Sequence, residues 1–173
     1  PAVTDSTLYD LASLTKVVGT TSAVMRLVET GRMGLDAPLS DYLPSWPTGG
    51  WWDRVTIRQL LMHRAGLLPF LRFWQAPGAR AAAVPMDSVV AAIAALDPPG
   101  RPGQYVYSDL GFLLLGAAVE AVIDTSLAAF VEEEVWTPLG MAETGFNPTG
   151  PPGPRGAVID APGPDTAAVL EPV

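Results

Sequence analysis

The chain has 173 residues, of which 49% are hydrophobic, and its formal net charge at pH 7 is −8. This length and composition predict a folded domain with a buried core, and the acidic balance argues against nucleic acid or an anionic membrane surface as a partner. The lack of cysteine excludes disulfides and thiolate metal ligands, and the single histidine argues against a histidine-based zinc site. The longest apolar stretch, LGFLLLGAAVEAVI, contains Glu120 and is too short for a transmembrane helix.

A long amphipathic helix is predicted from Ser13 to Thr30, and Gly31 follows it as a C-terminal stop. The apolar residues that recur in it at helical spacing are Leu14, Val17, Val18, Val24, Met25 and Val28. After a turn-rich connector, Thr56 and Gln59 stand at capping-box spacing in TIRQLLMH. This pattern predicts a short helix that ends at about His63.

Two further helices are predicted in the second half of the chain. The stretch DSVVAAIAAL, residues 87–96, indicates a helix that begins behind Asp87 as its N-cap. The stretch YSDLGFLLLGAAVEAVI indicates a long helix that begins near Ser108 and is apolar enough to be buried.

The last predicted helix is amphipathic, follows Asp124 in SLAAFVEEEVW, and is closed by Pro138 and Gly140. Proline and glycine make up half of residues 147–166, which indicates a loop there. Only short stretches such as YVY, residues 105–107, are candidates for strands. A fold built from these elements alone would be nearly all α.

The first chemical signal is the sequence Ser13-Leu14-Thr15-Lys16, which contains the only lysine of the chain. On a helix, this spacing places the amine of Lys16 one turn after the Ser13 hydroxyl, on the same face. A neutral lysine can accept the serine proton, whereas an arginine stays charged at any physiological pH. The alternative is a helix-capping serine followed by a solvated lysine.

The second signal is Tyr107-Ser108-Asp109 at the start of the long helix. A phenol at Tyr107 could relay protons between a nucleophile and a leaving group, although an aromatic packing anchor with a Ser/Asp helix cap explains the same residues. The single histidine, His63, lies at a predicted helix end, where the more common role is to bond carbonyls or the backbone.

Taken together, Ser-x-x-Lys, VTIRQLLMHRAGL, YSDLGFLLLG and PLGMAETGF stand in an order that resembles the serine β-lactamase-related family. The resemblance runs from about Leu8 to about Asn147. This family comprises class C β-lactamases, penicillin-binding D-alanyl-D-alanine carboxypeptidases and related esterases. The resemblance implies a β-lactamase/transpeptidase-like α/β fold, of which residues 1–173 would be the mostly helical part of one domain, with most of the antiparallel sheet outside them and residues 147–173 as a loop and cut end.

The resemblance also implies roles for individual residues. Ser13 would be the acylated nucleophile, Lys16 its general base and Tyr107 the proton relay. His63 and Gly66 would be structural residues near the site. No metal or organic cofactor is implied, the partner would be a small-molecule or peptide substrate, and the family favours a periplasmic or extracellular location.

Two departures from the family pattern bear on the substrate. Asp109 stands where penicillin-recognising members have an asparagine, and an ionised aspartate accepts hydrogen bonds but donates none to a substrate carbonyl. A carboxylate beside Lys16 would also favour the charged ammonium and work against the lysine as a base. The third family motif, Lys/His-Thr/Ser-Gly on a strand, has no match in the chain, and we expect it to lie beyond residue 173.

These features favour a serine hydrolase that forms an acyl-enzyme on an ester, amide or peptide substrate. An esterase or D-alanyl peptidase type fits better than a true β-lactamase because of Asp109. The alternative is a non-catalytic, penicillin-binding-like or peptidoglycan-sensing relative.

Overall fold

The computed structural model describes residues 3–4, 7, 9–73, 84–96, 102–146 and 157–158. Helices dominate these residues, and their bounds are Ser22–Glu29 (α1), Ile57–Leu61 (α2), Met86–Ala94 (α3), Asp109–Ile123 (α4) and Leu127–Val131 (α5). Short 3₁₀ turns span Ala12–Leu14, Leu39–Asp41 and Trp52–Arg54, and π-helical turns span Lys16–Thr21 and Glu132–Trp136. Two strands of two residues each, Thr144–Gly145 (β1) and Ala157–Val158 (β2), pair in parallel.

The first predicted helix is confirmed as helical backbone from Ala12 to Glu29, although its path changes from 3₁₀ through π-helical to α. In the wide π turn, side chains bond carbonyls five residues back: Thr21 Oγ1 donates to Lys16 O at 2.7 Å. The indole Nε1 of Trp136 donates to the neighbouring Val18 carbonyl at 3.1 Å. Gly31 ends the helix with φ +70, a value that glycine adopts without strain.

Helix α4 forms the centre of the hydrophobic core, as its apolar sequence predicts. It begins at Ser108, whose side chain accepts the N–H of Gly111 as an N-cap. Leu110, Leu114 and Leu115 are each no more than 1% exposed, and helices α2, α3 and α5 all contact α4. Each fully buried leucine of this kind contributes roughly 1.5–3 kcal/mol to the stability of the folded protein. The other helices therefore pack around α4.

The apolar positions of the first helix are only partly buried. Leu14, Val17 and Met25 are 58%, 60% and 66% exposed, whereas Val24 is fully buried. The periodicity therefore predicts the helical structure correctly, and part of the apolar face is exposed.

Two helix boundaries differ from the predictions. Helix α2 has the full Thr56–Gln59 capping box but ends at Leu61, because His63 adopts φ +54, a left-handed conformation that no helix can continue through. Helix α3 begins at Met86 with Pro85 at the N-cap position and no side-chain cap, so Asp87 lies inside the first turn. Pro85 can hold this position because its fixed φ suits the approach to a helix.

The strand predictions were also wrong in detail. Residues 105–107 form no strand, and the Val106 N–H donates instead to His63 O at 2.8 Å, so the loop next to α2 takes the place of a sheet partner. Within the predicted loop 147–166, Ala157 and Val158 form β2 because they pair with Thr144–Gly145. The rest of residues 147–173 lies outside the described residues.

Within the described part of the chain, no single helix is long and apolar enough to cross a membrane. Helix α4 and the segment Leu127–Trp136 pass the same length and composition test only as a pair, and they are bent by 77° relative to each other.

Candidate active site

Ser13 and Lys16 meet at the start of the first helix, as their spacing predicts. The Lys16 ammonium donates a hydrogen bond to Ser13 Oγ at 3.2 Å, and Ser13 itself is exposed. Residues three apart on a helical backbone are neighbours on its surface, and this places the two side chains on one face. Ala12, just before the serine, adopts φ +43, and its N–H is held by Asp10 Oδ1 at 2.7 Å. A left-handed non-glycine residue costs about 1–3 kcal/mol and is typical of functional turns.

Lys16 also forms an ion pair with Asp109 from the first turn of α4, with 2.6 Å between Nζ and Oδ1. The lysine side chain is 15% exposed and that of the aspartate 49%. Asp109 Oδ1 itself is buried, and its contact with Nζ has ion-pair distance without hydrogen-bond angles. The ammonium therefore lies between a hydroxyl and a carboxylate, so the two sequence motifs share one site.

Tyr107 contributes to this site through its ring. The Lys16 ammonium lies 5.2 Å from the Tyr107 ring centroid and 5.8 Å from that of Phe112, within the range of cation–π attraction. Among the described residues, the Tyr107 hydroxyl makes no hydrogen bond to Ser13 or Lys16. The structure therefore brings the predicted proton relay next to the lysine without the contact that a relay needs.

His63 lies behind Tyr107. Its ring centroid is 4.4 Å from that of Tyr107 and 5.2 Å from that of Phe112, and its Nδ1 accepts the Ser108 N–H at 3.0 Å. Burial and the positive charge of Lys16 lower the pKa of His63 below its usual 6.5. The expectation that this histidine bonds the backbone near the site matches these contacts.

The loop after α2 fixes the start of α4 through its carbonyl groups. Ser108 Oγ donates to Leu68 O at 2.6 Å, and the Asp109 N–H donates to Pro69 O at 2.7 Å. Gly66 lies buried in this loop with φ +72, where a side chain would be strained. Gly66 therefore shapes the loop that holds Asp109 and takes no direct part in the chemistry.

Sequence reasoning missed Phe112 and Ala12. Phe112 stands three residues after Asp109 on a helix, and that spacing alone places the two side chains on one face. The left-handed Ala12 has no sequence signal, because alanine is a residue that normally avoids this conformation.

The described residues bring together a serine hydroxyl, an amine and a carboxylate, and the amine contacts both of the other groups. Within that part of the chain, no group of three or more metal-binding side chains lies close enough to hold a metal ion. The arrangement can activate the hydroxyl by proton transfer and can form a covalent bond to an acyl group.

Comparison with known proteins shows the family to which the chain belongs. The crystal structure of a penicillin binding protein from Bacillus halodurans superimposes with a TM-score of 0.66 at 29% identity, over 83% of this chain and 45% of that one. It shows a β-lactamase/transpeptidase-like fold for the helical part described here. The family model named Beta-lactamase matches residues 1–172, and the chain therefore belongs to the beta-lactamase family.

Two of the curated relatives that reach 30% identity carry different names. A protein of Escherichia coli (strain K12), with the provisional name D-alanyl-D-alanine carboxypeptidase, is 32% identical over 84% of this chain. An N-acetylmuramyl-L-alanine amidase of Bacillus subtilis (strain 168) is 30% identical over 82%. The chain spans about a third of the length of these relatives, 35% of the first and 34% of the second. Its relatives are thus hydrolases of the carboxypeptidase and amidase types.

Proposed function

We propose that the protein is a serine hydrolase in which Ser13 forms an acyl-enzyme with an ester, amide or peptide substrate. The observation that carries this proposal is the contact of Lys16 Nζ with Ser13 Oγ at 3.2 Å, on a family fold whose relatives carry hydrolase names. Ser13 is exposed, so an acyl group can reach it, and the strained turn at Ala12 fixes its position.

Lys16 must lose a proton before it can accept one from Ser13. The amine gives this proton to water, although the Asp109 carboxylate, 2.6 Å from Nζ, stabilises the ammonium. The Ser13 proton then passes to the neutral amine while Oγ attacks the substrate carbonyl, and the lysine later returns a proton to the leaving group. Tyr107 and Phe112 shield one side of Lys16 and so lower its exposure to water during these steps.

The substrate class follows from what Asp109 can and cannot do. Its carboxylate is engaged by Lys16, and it offers no N–H donor to the carbonyl of a penicillin side chain. We infer that simple esters or D-alanyl peptides are turned over better than β-lactams. The carboxypeptidase and amidase names of the relatives support an acyl bond of this kind.

Covalent labelling of the full-length protein with a fluorophosphonate tests the proposal. We expect one adduct, on the tryptic peptide that ends at Lys16, and mass spectrometry should place it on Ser13. Ser13→Ala should abolish labelling, whereas Ser22→Ala, on the same helix and bonded only to Val17 O at 3.0 Å, should keep it. An adduct on another residue would contradict the assignment of the nucleophile.

One observation favours a second candidate, a non-catalytic protein that binds a peptidoglycan or acyl ligand. The Lys16–Asp109 ion pair holds the lysine as a hydrogen-bond donor to Ser13, which suits recognition of a ligand as well as catalysis. Under this alternative, the wild-type protein would bind a D-alanyl peptide without any covalent adduct forming on Ser13.

A further inference from the structure

The loop 63–69 and the loop 103–109, here called the paired loops, lie side by side and are bonded through their backbones. Gly103 N–H donates to Arg64 O at 2.8 Å, and Val106 N–H donates to His63 O at 2.8 Å. The Arg64 guanidinium adds a bond to Gly103 O at 2.7 Å. The second loop carries Tyr107 and leads into α4 at Asp109, so the paired loops connect His63 with groups that surround Lys16.

One contact of the paired loops depends on a side chain that can change its protonation. His63 Nδ1 accepts the N–H of Ser108, the residue between Tyr107 and Asp109, at 3.0 Å. We propose that His63 is a positioning residue that holds Ser108 through its unprotonated Nδ1 and thereby keeps Tyr107 and Asp109 against Lys16. This inference rests on the proposed function, because its consequence is the reactivity of Ser13.

The bond requires an Nδ1 that carries no proton, since a protonated imidazole nitrogen donates and cannot accept. Among the described residues, the titratable or charged groups that face His63 are Lys16, Asp109, Tyr105 and Tyr107. Burial and the Lys16 charge favour the neutral ring, whereas Asp109 opposes them. Acidification would therefore convert the acceptor into a donor that repels the Ser108 N–H and loosens the start of α4.

The backbone of His63 restricts which residues can replace it. Its φ of +54 is left-handed, a conformation that glycine and asparagine adopt more readily than other residues. Asparagine also carries a side-chain oxygen at the position of Nδ1 and does not titrate near neutral pH. His63→Asn thus keeps both the backbone and the acceptor, whereas His63→Gly keeps the backbone alone.

The experiment measures the rate of fluorophosphonate labelling of Ser13 in the full-length protein between about pH 5 and pH 8, the range in which histidine titrates. Rates are expressed per folded molecule at a temperature well below each variant's unfolding midpoint. A variant that is only less stable then shows no decrease in its labelling rate. At pH 8 we expect His63→Gly to label roughly tenfold more slowly than wild type, the size expected for one lost backbone hydrogen bond. His63→Asn should stay within about threefold of wild type, because its oxygen replaces the acceptor.

The pH dependence of the labelling rate distinguishes a positioning role of His63 from a role in packing alone. As the pH falls, the wild-type rate should drop relative to that of His63→Asn, since only the wild type loses its acceptor. A His63→Gly variant that labels at the wild-type rate, or an Asn variant as slow as the Gly variant, would overturn the inference. Ser13→Ala serves as the separate control: if it still labels, the proposed function fails, whatever the His63 variants do.

Discussion

The two halves of the candidate site are held in place in different ways. Asp109 belongs to a helix in which Leu110, Leu114 and Leu115 are buried, and its N–H donates to the carbonyl of Pro69. Ser13 belongs to a turn held by local bonds, such as Thr15 Oγ1 to Ala12 O, beside two apolar residues that are more than half exposed. The carboxylate half is thus fixed by the core and the nucleophile half by its own turn.

This difference shows where stability and reactivity can be changed independently. A substitution in α4 removes apolar contacts that the whole domain shares, whereas a substitution at Lys16 changes the chemistry of one exposed serine. The ion pair between Lys16 and Asp109 is a direct link between the charged groups of the two halves. We therefore expect large effects on rate from substitutions in the nucleophile half and large effects on stability from substitutions in the carboxylate half.

The largest expected effect is on catalysis, from Lys16→Arg. Arginine keeps the positive charge beside Asp109 but cannot give up its proton, so the transfer from Ser13 is lost. Hydrolysis of p-nitrophenyl acetate by the full-length protein should fall by about 10²–10⁴-fold, the usual contribution of a general base. The reverse exchange on the surface, Arg58→Lys in the exposed pair with Asp36, is the control and should leave the rate unchanged. Near-wild-type turnover of the Arg variant would rule out proton transfer by Lys16.

The next largest effect is on stability, and it compares a leucine-to-alanine substitution in the two halves. Leu114→Ala removes a fully buried side chain of α4 and should lower the free energy of unfolding by about 2–5 kcal/mol. Leu14→Ala, at a position that is 58% exposed, should change it by less than about 0.5 kcal/mol. Urea unfolding of both variants measures the difference. Equal losses would show that the nucleophile turn is also buried in the folded protein.

Residue spacing predicts the local contacts of this site, whereas its distant contacts could be expected only from the family resemblance. The Ser13–Lys16 contact and the caps at Thr56 and Ser108 follow from helix geometry over three residues, and the structure has all three. The pairing of Lys16 with Asp109 joins two motifs far apart in the chain, so it was expected from the resemblance alone, and its distance depends on the whole fold. The exposed fraction of Leu14 also depends on the fold, because periodicity indicates a face without indicating what covers it.

A smaller effect on stability comes from the caps of two helices. Ser108 is buried, caps α4 and also donates to Leu68 O, so Ser108→Ala should lower the free energy of unfolding by about 1–2 kcal/mol. Ser126 caps α5 from an exposed position, and Ser126→Ala should cost about 0.5–1 kcal/mol. Thermal or urea unfolding ranks the two variants. A larger loss of stability for Ser126→Ala would contradict the view that the start of α4 is held more firmly than the start of α5.

The smallest expected effect is the pH dependence that His63 gives to stability. Its pKa is lowered in the folded protein, mainly by burial, so the unfolded chain binds a proton on this ring more readily than the folded one does. The free energy of unfolding should therefore hold its full value above the usual pKa of 6.5, decline as the pH falls below it, and level off once the folded protein also takes up the proton.

Unfolding midpoints of wild type and His63→Asn, measured from about pH 8 to pH 5, test this expectation, because asparagine keeps the acceptor for Ser108 and does not titrate. The difference between the two proteins should change only below about pH 6.5, with the wild type losing more. A constant difference over the whole range would mean that the pKa of His63 is the same in the folded and the unfolded protein. The contact with Ser108 would then not depend on the charge of the ring.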